Sequence, residues 1–98
     1  MAEQHVTRQW QIDFKGLRSK DSMLKKIAAA LEFPPHFGRN LDALYDCLTE
    51  LPLQSGQRYA IHLNDLERDQ AGDAVYAAFS DARDFWADAG VTLALIRE

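Results

Sequence analysis

Two aspartates and a tyrosine recur at helical spacing in the segment "GRNLDALYDCL", which covers residues 38–48. On a helix of 3.6 residues per turn, Asp42, Tyr45 and Asp46 share one side, and Thr49 extends that side by one turn. The helix dipole favours an anion at Asp42, but Asp46 lies mid-helix, where aspartate has poor propensity and no capping role. Carboxylates beside an amphipathic ring suit the binding of a partner's cationic groups. The alternative is a solvated polar side with Tyr45 lying over the core edge.

Catalysis by histidine is the competing chemistry, and the positions of the three histidines give it little support. His62 falls in a predicted strand, His36 in a proline-braced loop and His5 near the N-terminus. The chain contains no nucleophile–base spacing, glycine-rich phosphate loop or HExxH pattern. Cys47 is the only cysteine, which excludes an internal disulfide and a cysteine metal cluster. We therefore expect a protein that is not an enzyme, with no catalytic residue, bound metal or cofactor.

The net charge of −4 is unevenly distributed along the chain. Residues 1–32 carry a net charge of +2, whereas residues 33–98 carry −6. An acidic surface repels phosphate backbones and attracts basic proteins. We therefore expect a basic protein partner and no direct contact with nucleic acid.

Length and composition predict one globular domain over residues 1–98, with residues 1–7 as a flexible N-terminal tail. The apolar content of 47% is typical of a chain with a folded core. No apolar run approaches the roughly 20 residues that cross a bilayer. The start, "MAEQHVTRQW", also lacks a signal pattern. We expect a cytoplasmic protein without membrane contact.

Three segments have the composition of β-strands. "WQIDF", residues 10–14, alternates apolar and polar side chains. "RYAIHL", residues 58–63, lacks clear alternation, as expected of a strand that is covered on both faces. "VTLALI", residues 91–96, is the last predicted strand. Because helical segments separate them, the strands should pair in parallel, with helices packed on the sheet.

Three helical segments separate these strands, and local signals predict their ends. Pro34 and Pro35 separate the first helix from the second, and Gly38 suits a position with positive φ. "NDLERDQAGD", residues 64–73, is predicted to be a capped turn or short helix. The predicted helices run from a cap at Asp21 or Ser22 to about Glu32, from a cap at Asn40 to about Leu51, and from about Asp73 to Ala89.

The predicted long helix carries an acidic side opposite the apolar stripe that contains Val75. The aspartates on that side are Asp73, Asp81, Asp84 and Asp88, with no basic residue among them. Like charges so placed reduce helix stability slightly. Ordinary acidic solubilisation accounts for each aspartate taken singly, but a partner surface accounts better for the group.

The segment "FPPHFGRNLDALYDCLTE", residues 33–50, closely resembles the part of the barstar family that runs from the first helix into the second. The shared pieces are Pro34, an aromatic residue at Phe37, Gly38, then "NLDAL", an aromatic residue at Tyr45, and "DCLT". A weaker similarity spans roughly residues 9–97, with the same order of strands and helices. The resemblance implies a single barstar-like α/β domain, in which a three-stranded parallel β-sheet is packed with three to four α-helices.

The same resemblance implies binding rather than catalysis, because barstar-family proteins inhibit ribonucleases with the second helix and the loop before it. It implies that Asp46 takes the place of a substrate phosphate in the active site of a basic nuclease. The expected partner-binding residues are Asp42, Tyr45, Asp46 and Thr49 on the second helix, His36, Phe37, Gly38 and Asn40 in the loop, and Asp81 on the long helix.

Two loop residues depart from the family pattern. His36 stands where the family has a tyrosine, and a protonated histidine would repel a basic site. Arg39 stands in place of an acid and reverses a local charge. The first hypothesis is an inhibitor of a basic nuclease, barnase-like or another secreted ribonuclease, that is monomeric when free. The alternative is an acidic module that binds a basic non-nuclease partner or another copy of itself.

Overall fold

The strands and helices alternate in the order that the sequence predicts. The computed structural model describes residues 6–98. The elements are β1 Arg8–Asp13, α1 Lys20–Leu31, α2 Leu41–Leu48, β2 Arg58–Asn64, α3 Gln70–Asp88 and β3 Thr92–Arg97. The predicted α/β class is therefore confirmed, and three helices within the described range stand at the lower end of the expected number.

The sheet is parallel throughout, with the strand order β1-β2-β3. Trp10 of β1 lies opposite Ile61 of β2, which in turn lies opposite Leu95 of β3. Parallel crossovers in a sheet are right-handed, so consecutive crossovers that advance in one direction place their helices on the same face. Ile12, Ile61 and Leu93 contribute from that face to one core, together with buried side chains of all three helices.

The other face of the sheet carries polar side chains that bond to one another. His62 Nε2 hydrogen-bonds Gln9 Oε1 at 2.9 Å, and Asn64 Nδ2 donates to Gln11 Oε1 at 3.1 Å. The prediction that β2 is covered on both faces is therefore wrong. Ala60 also lies on this polar face, but its side chain is too short to rise above its neighbours and is only 5% exposed. Because Ala60 is apolar, the strand sequence looks continuously apolar.

The caps explain why α1 begins earlier than predicted. Ser19 is the N-cap, and its hydroxyl oxygen accepts a hydrogen bond from the Ser22 N–H at 3.0 Å. The predicted caps at Asp21 and Ser22 are wrong, because both residues lie inside the first turn. Glu32 closes the helix in the left-handed region, with φ of 57°, and the prolines follow as predicted.

The long helix α3 also begins earlier, at Gln70 rather than near Asp73. Asp69 caps it by accepting a hydrogen bond from the Gly72 N–H at 2.8 Å. A Cβ at Gly72 would overlap the carbonyl oxygen of Glu67, so a glycine allows the first turn of α3 to pack against the segment before it. The last four residues of the predicted turn, residues 70–73, therefore belong to the helix.

The N-terminal segment joins the sheet just before β1. The Thr7 N–H donates to the Arg58 carbonyl oxygen at 2.7 Å, and the Thr7 hydroxyl bonds the Gln57 side chain. Val6 is exposed, and residues 1–5 of the predicted tail lie outside the described residues. No helix in residues 6–98 is both long and apolar enough to cross a membrane.

Candidate partner-binding groove

Helix α2 is held by a cap at its start and by apolar side chains beneath it. The Asn40 side-chain oxygen accepts a hydrogen bond from the Ala43 N–H at 2.7 Å, which confirms the predicted N-cap. Leu44 and Leu48 are fully buried in the core. The side of α2 that carries Asp46 is consequently turned toward solvent.

The end of α2 comes at Leu48, one turn earlier than predicted. The Thr49 hydroxyl donates to the carbonyl oxygens of Tyr45 and Asp46, both at 3.1 Å. The Tyr45 carbonyl also accepts the Thr49 N–H at 3.0 Å, so the hydroxyl adds a donor for the Asp46 carbonyl that the ended helix leaves free. Leu51 remains buried although it lies beyond the helix. The predicted partner-binding residue Thr49 therefore uses its hydroxyl within the chain.

A buried hydrogen bond fixes α3 beside α2. Trp86, on α3, is 9% exposed, and its indole N–H donates to the carbonyl oxygen of Leu48 at 3.0 Å. This acceptor is one of the free carbonyls at the α2 terminus. The bond links the C-terminal end of α2 to α3, and the shared core holds the two helices together along the rest of their contact.

A groove of about 510 Å³ lies between the two helices. Leu41, Asp42, Tyr45 and Asp46 line it from α2, and Ala74, Ala77, Ala78 and Asp81 line it from α3. The alanines leave room that longer side chains would fill. Four of the nine predicted partner-binding residues are thus brought to one site by two elements far apart in the chain.

The carboxylates at this groove are free of cations within residues 6–98. Asp42, Asp46 and Asp81 are exposed, and none forms an ion pair with a lysine, arginine or histidine of that range. Tyr45 is half-buried, packs against the core and lines the same groove as the carboxylates. An arrangement of this kind attracts a cationic, partly apolar surface.

The other aspartates of α3 have different surroundings. Asp73 Oδ1 lies 2.8 Å from Arg97 Nη2, and Asp84 Oδ1 lies 3.7 Å from Arg83 Nε. Asp88 is exposed but does not line the groove. The prediction of one acidic side without basic residues is therefore wrong, because arginines from β3 and from α3 itself reach two of the four carboxylates.

The loop before α2 does not line the groove. His36 is exposed, whereas Phe37 is half-buried, with its ring centroid 5.1 Å from that of Phe33. The prediction of positive φ at Gly38 is wrong, and the next residue, Arg39, takes that conformation with φ of 46°. A left-handed non-glycine residue is strained by about 1–3 kcal/mol.

The residues that could support other chemistry are separated. His62 lies on the polar face of the sheet and His36 in the loop, while His5 falls outside the described residues. Burial raises the pKa of the half-buried Cys47 thiol, and the charges of Glu50 and Asp46 raise it further. Within residues 6–98 no three histidine, cysteine or acidic side chains are placed to hold a metal ion.

The alanine floor of the groove is the part that the sequence-based predictions missed. Ala74, Ala77 and Ala78 precede Asp81 at spacings of seven, four and three residues, which places all of them on one side of α3. This spacing was available in the sequence as a signal. Only the packing of α3 beside α2, however, makes that side the wall of a groove.

Comparison with known proteins gives two matches. A family sequence profile described as "Barstar (barnase inhibitor)" matches residues 7–98. Over 45 residues the chain is 42% identical to the protein described as "Putative ribonuclease inhibitor YrdF" from Bacillus subtilis (strain 168). The aligned part covers 43% of this chain and 50% of that protein. The chain thus spans about half the length of this curated relative.

Proposed function

Because this chain belongs to the barstar family, we propose that it inhibits a ribonuclease by covering a basic active site with the groove between α2 and α3. The observation that carries this proposal is the cation-free state of Asp42, Asp46 and Asp81 within the described chain. Three neighbouring carboxylates without intrachain partners are suited to receive cations from another protein. The name of the Bacillus subtilis relative, which describes an inhibitor of a ribonuclease, agrees with this function.

Mimicry of the substrate is the proposed mechanism. A ribonuclease binds the phosphate backbone of RNA with arginine, lysine or histidine side chains. The Asp46 carboxylate, exposed in the middle of α2, takes the position of a phosphate among those cations. Asp42 and Asp81 extend the negative charge along the two sides of the groove. A carboxylate offers the enzyme no bond to cleave, so the active site stays occupied.

Tyr45 supplies the apolar part of the contact. Its ring packs against the core and lies in the groove with Leu41 and the alanine floor. A ring that is already held in place loses little conformational freedom when a partner covers it. Water is excluded from the contact by this apolar surface, which strengthens the attraction between the carboxylates and the partner's cations.

The loop residues are proposed to contact the rim of the enzyme. His36 is exposed and available to a partner, whereas Asn40 already uses its side chain to cap α2. Gly38 lies close to Asn40 and Ala43, where an added Cβ would make ordinary contacts of 3.5 and 3.7 Å with their side chains. Phe37 supports the loop from within by packing against the core.

A pull-down with a matched control tests this function. The immobilised chain is exposed to a lysate of its native source and to purified barnase as a defined probe, with Asp46→Ala and Asp84→Ala chains in parallel. We expect the wild-type and Asp84→Ala chains to retain a basic ribonuclease and to inhibit its cleavage of RNA. The Asp46→Ala chain should do neither.

Two results would overturn the proposal. One is equal retention of the ribonuclease by wild-type and Asp46→Ala chains, since the central carboxylate would then not matter. The other is retention only of basic proteins without ribonuclease activity, which would favour a binding module of another class. Light scattering of the free chain tests for self-association, and we expect it to show a monomer.

A further inference from the structure

An ion pair ties the loop before α2 to the first turn of α1. Arg39 Nε donates to Asp21 Oδ1 at 2.9 Å, across 18 positions of sequence. Lys25, one turn further along α1, places its Nζ 3.4 Å from the second oxygen of the same carboxylate. Asp21 therefore holds two cations, one from its own helix and one from the loop.

The ion pair places Arg39 on the side of α2 that faces α1. Arg39 lines a shallow depression together with Lys25 and Ala28 of α1. Asp42 and Asp46 instead line the groove toward α3. Arg39 precedes Asp42 by only three residues, so this cation lies close in sequence to the carboxylates and yet does not line their groove.

The carboxylate that holds Arg39 is ionised at neutral pH. The hydrogen bond from Arg39 lowers the pKa of Asp21, desolvation opposes this shift, and the charges of Arg39 and Lys25 lower the pKa further. Asp21 also lies in the first turn of α1, where the helix dipole favours an anion. The contact depends on charges that are present under physiological conditions.

The backbone of Arg39 shows that the loop conformation needs support. Its φ of 46° is left-handed, although the residue has a side chain. Such a conformation persists where surrounding contacts determine it. The bond to Asp21 is a contact of this kind, and it comes from an element outside the loop.

We infer that Asp21 is a positioning residue for the acidic groove, because it retains the Arg39 guanidinium on the α1 side and so leaves Asp42 and Asp46 free for a partner's cations. Its importance for binding rests on the proposed inhibitor function. Without the Asp21 charge, Lys25 would repel Arg39. The flexible side chain of Arg39 would then turn toward the carboxylates that follow it in the chain.

The first experiment needs no partner. The side-chain pKa values of Asp42 and Asp46 are measured by NMR titration in wild-type, Asp21→Asn, Arg39→Gln and Asp21→Asn/Arg39→Gln chains. We expect Asp21→Asn to lower the pKa of at least one of these carboxyls by about 0.5 unit, because a guanidinium moves toward it. In the double variant that pKa should return to the Arg39→Gln value.

The double variant separates positioning from stability. It lacks the Asp21 charge in the first turn of α1, as Asp21→Asn does, but it has no Arg39 guanidinium that could move toward Asp42 and Asp46. A chain with Glu32→Gln, which breaks the exposed Arg8–Glu32 contact of 4.0 Å, serves as the matched control and should change neither carboxyl. Unchanged pKa values of Asp42 and Asp46 in Asp21→Asn would overturn the inference. So would a shift that persists when Arg39 is also replaced.

The second experiment uses the ribonuclease that the wild-type chain retains. Association with Asp21→Asn should be about 2- to 5-fold slower at low salt, and the double variant should recover the rate of Arg39→Gln. A wild-type chain that binds no ribonuclease would count against the proposed function alone, since the titration decides the role of Asp21 independently.

Discussion

Asp81 and Asp73 lie on the same helix but have different surroundings. Asp81 lines the α2–α3 groove without a cation from the described chain beside it. Asp73, near the start of α3, bonds the Arg97 side chain at 2.8 Å. Arg97 is only 11% exposed in its side chain, and it also donates to the Glu67 carbonyl oxygen and lies over the Tyr76 ring. The Asp81 carboxylate is therefore available to a partner, whereas the Asp73 carboxylate already binds a cation of its own chain.

This difference shows that the density of aspartates does not by itself locate a binding surface. What distinguishes the groove is that three carboxylates without an intrachain cation among the described residues, Asp42, Asp46 and Asp81, lie together around Tyr45 and the alanines. An exposed pair such as Asp84 with Arg83 contributes little to stability. A carboxylate that receives a cation only in a complex can contribute much more, because both charges lose water there.

The largest expected effect is on binding by Asp46→Ala. Removing the central carboxylate leaves the cations of the ribonuclease buried without a partner, and we expect a loss of about 3–5 kcal/mol in binding free energy. Isothermal titration calorimetry measures it, and thermal unfolding should show little change because Asp46 is exposed. Asp84→Ala is the matched control and should stay within about 0.5 kcal/mol. Equal losses of binding free energy in Asp46→Ala and Asp84→Ala would show that the groove carboxylates do not differ from a carboxylate outside the groove.

The next effect tests the wall of the groove rather than its charges. Trp86→Phe removes the indole donor and leaves the buried Leu48 carbonyl without it. We expect the free energy of unfolding to fall by about 1–3 kcal/mol, measured by urea denaturation. Ribonuclease affinity should fall as well, because α3 would no longer be fixed beside α2. Unchanged stability would show that other packing sets the position of α3.

Asp73→Asn should give the reverse pattern of Asp46→Ala. It weakens the contact that holds Arg97 at the end of β3, and we expect about 1 kcal/mol of stability to be lost, limited by the exposure of Asp73. Affinity for the ribonuclease should change less than twofold. Parallel urea denaturation and calorimetry measure both quantities. A larger loss of affinity than of stability would place Asp73 in the binding surface.

The smallest effect concerns the pH dependence of the Asp21–Arg39 pair. Since the folded state lowers the pKa of Asp21, the pair stabilises the fold above the unfolded-state pKa, about 4. That contribution is lost as pH falls through the lower, folded-state value. NMR observation of the Arg39 Nε–H should show it losing its partner only below pH 4. The Arg39→Gln chain should show no corresponding change in its loop signals, and loss near pH 6 would contradict the assignment.

Local patterns predicted much of the fold. The order of strands and helices, the Asn40 cap and the buried side of α2 all follow from spacing within one element. Some of the errors fell at helix ends, because a cap depends on which nearby side chain reaches a free N–H. Ser19 does so for α1 and Asp69 for α3, and both begin their helices earlier than periodicity alone indicates.

The candidate site was predictable in its α2 half and less so elsewhere. Asp42, Tyr45 and Asp46 share one side of α2 because of helical geometry, which follows directly from their spacing in the sequence. Asp81 was expected on the site only through the family resemblance. The acidic pattern of α3 alone does not distinguish it from Asp73, whose partner Arg97 lies 24 positions away.

The sequence alone determined the elements, the core-facing stripes and the acidic, aromatic character of α2, because each is a repeat of apolar or polar residues at a fixed period. Only the tertiary structure decided which aspartates are neutralised by the described chain and which remain free. It also decided that α3 completes the groove and that Arg39 lies toward α1. The physical reason is that charge pairing depends on distances of a few ångströms between segments remote in sequence, and packing of the core sets those distances.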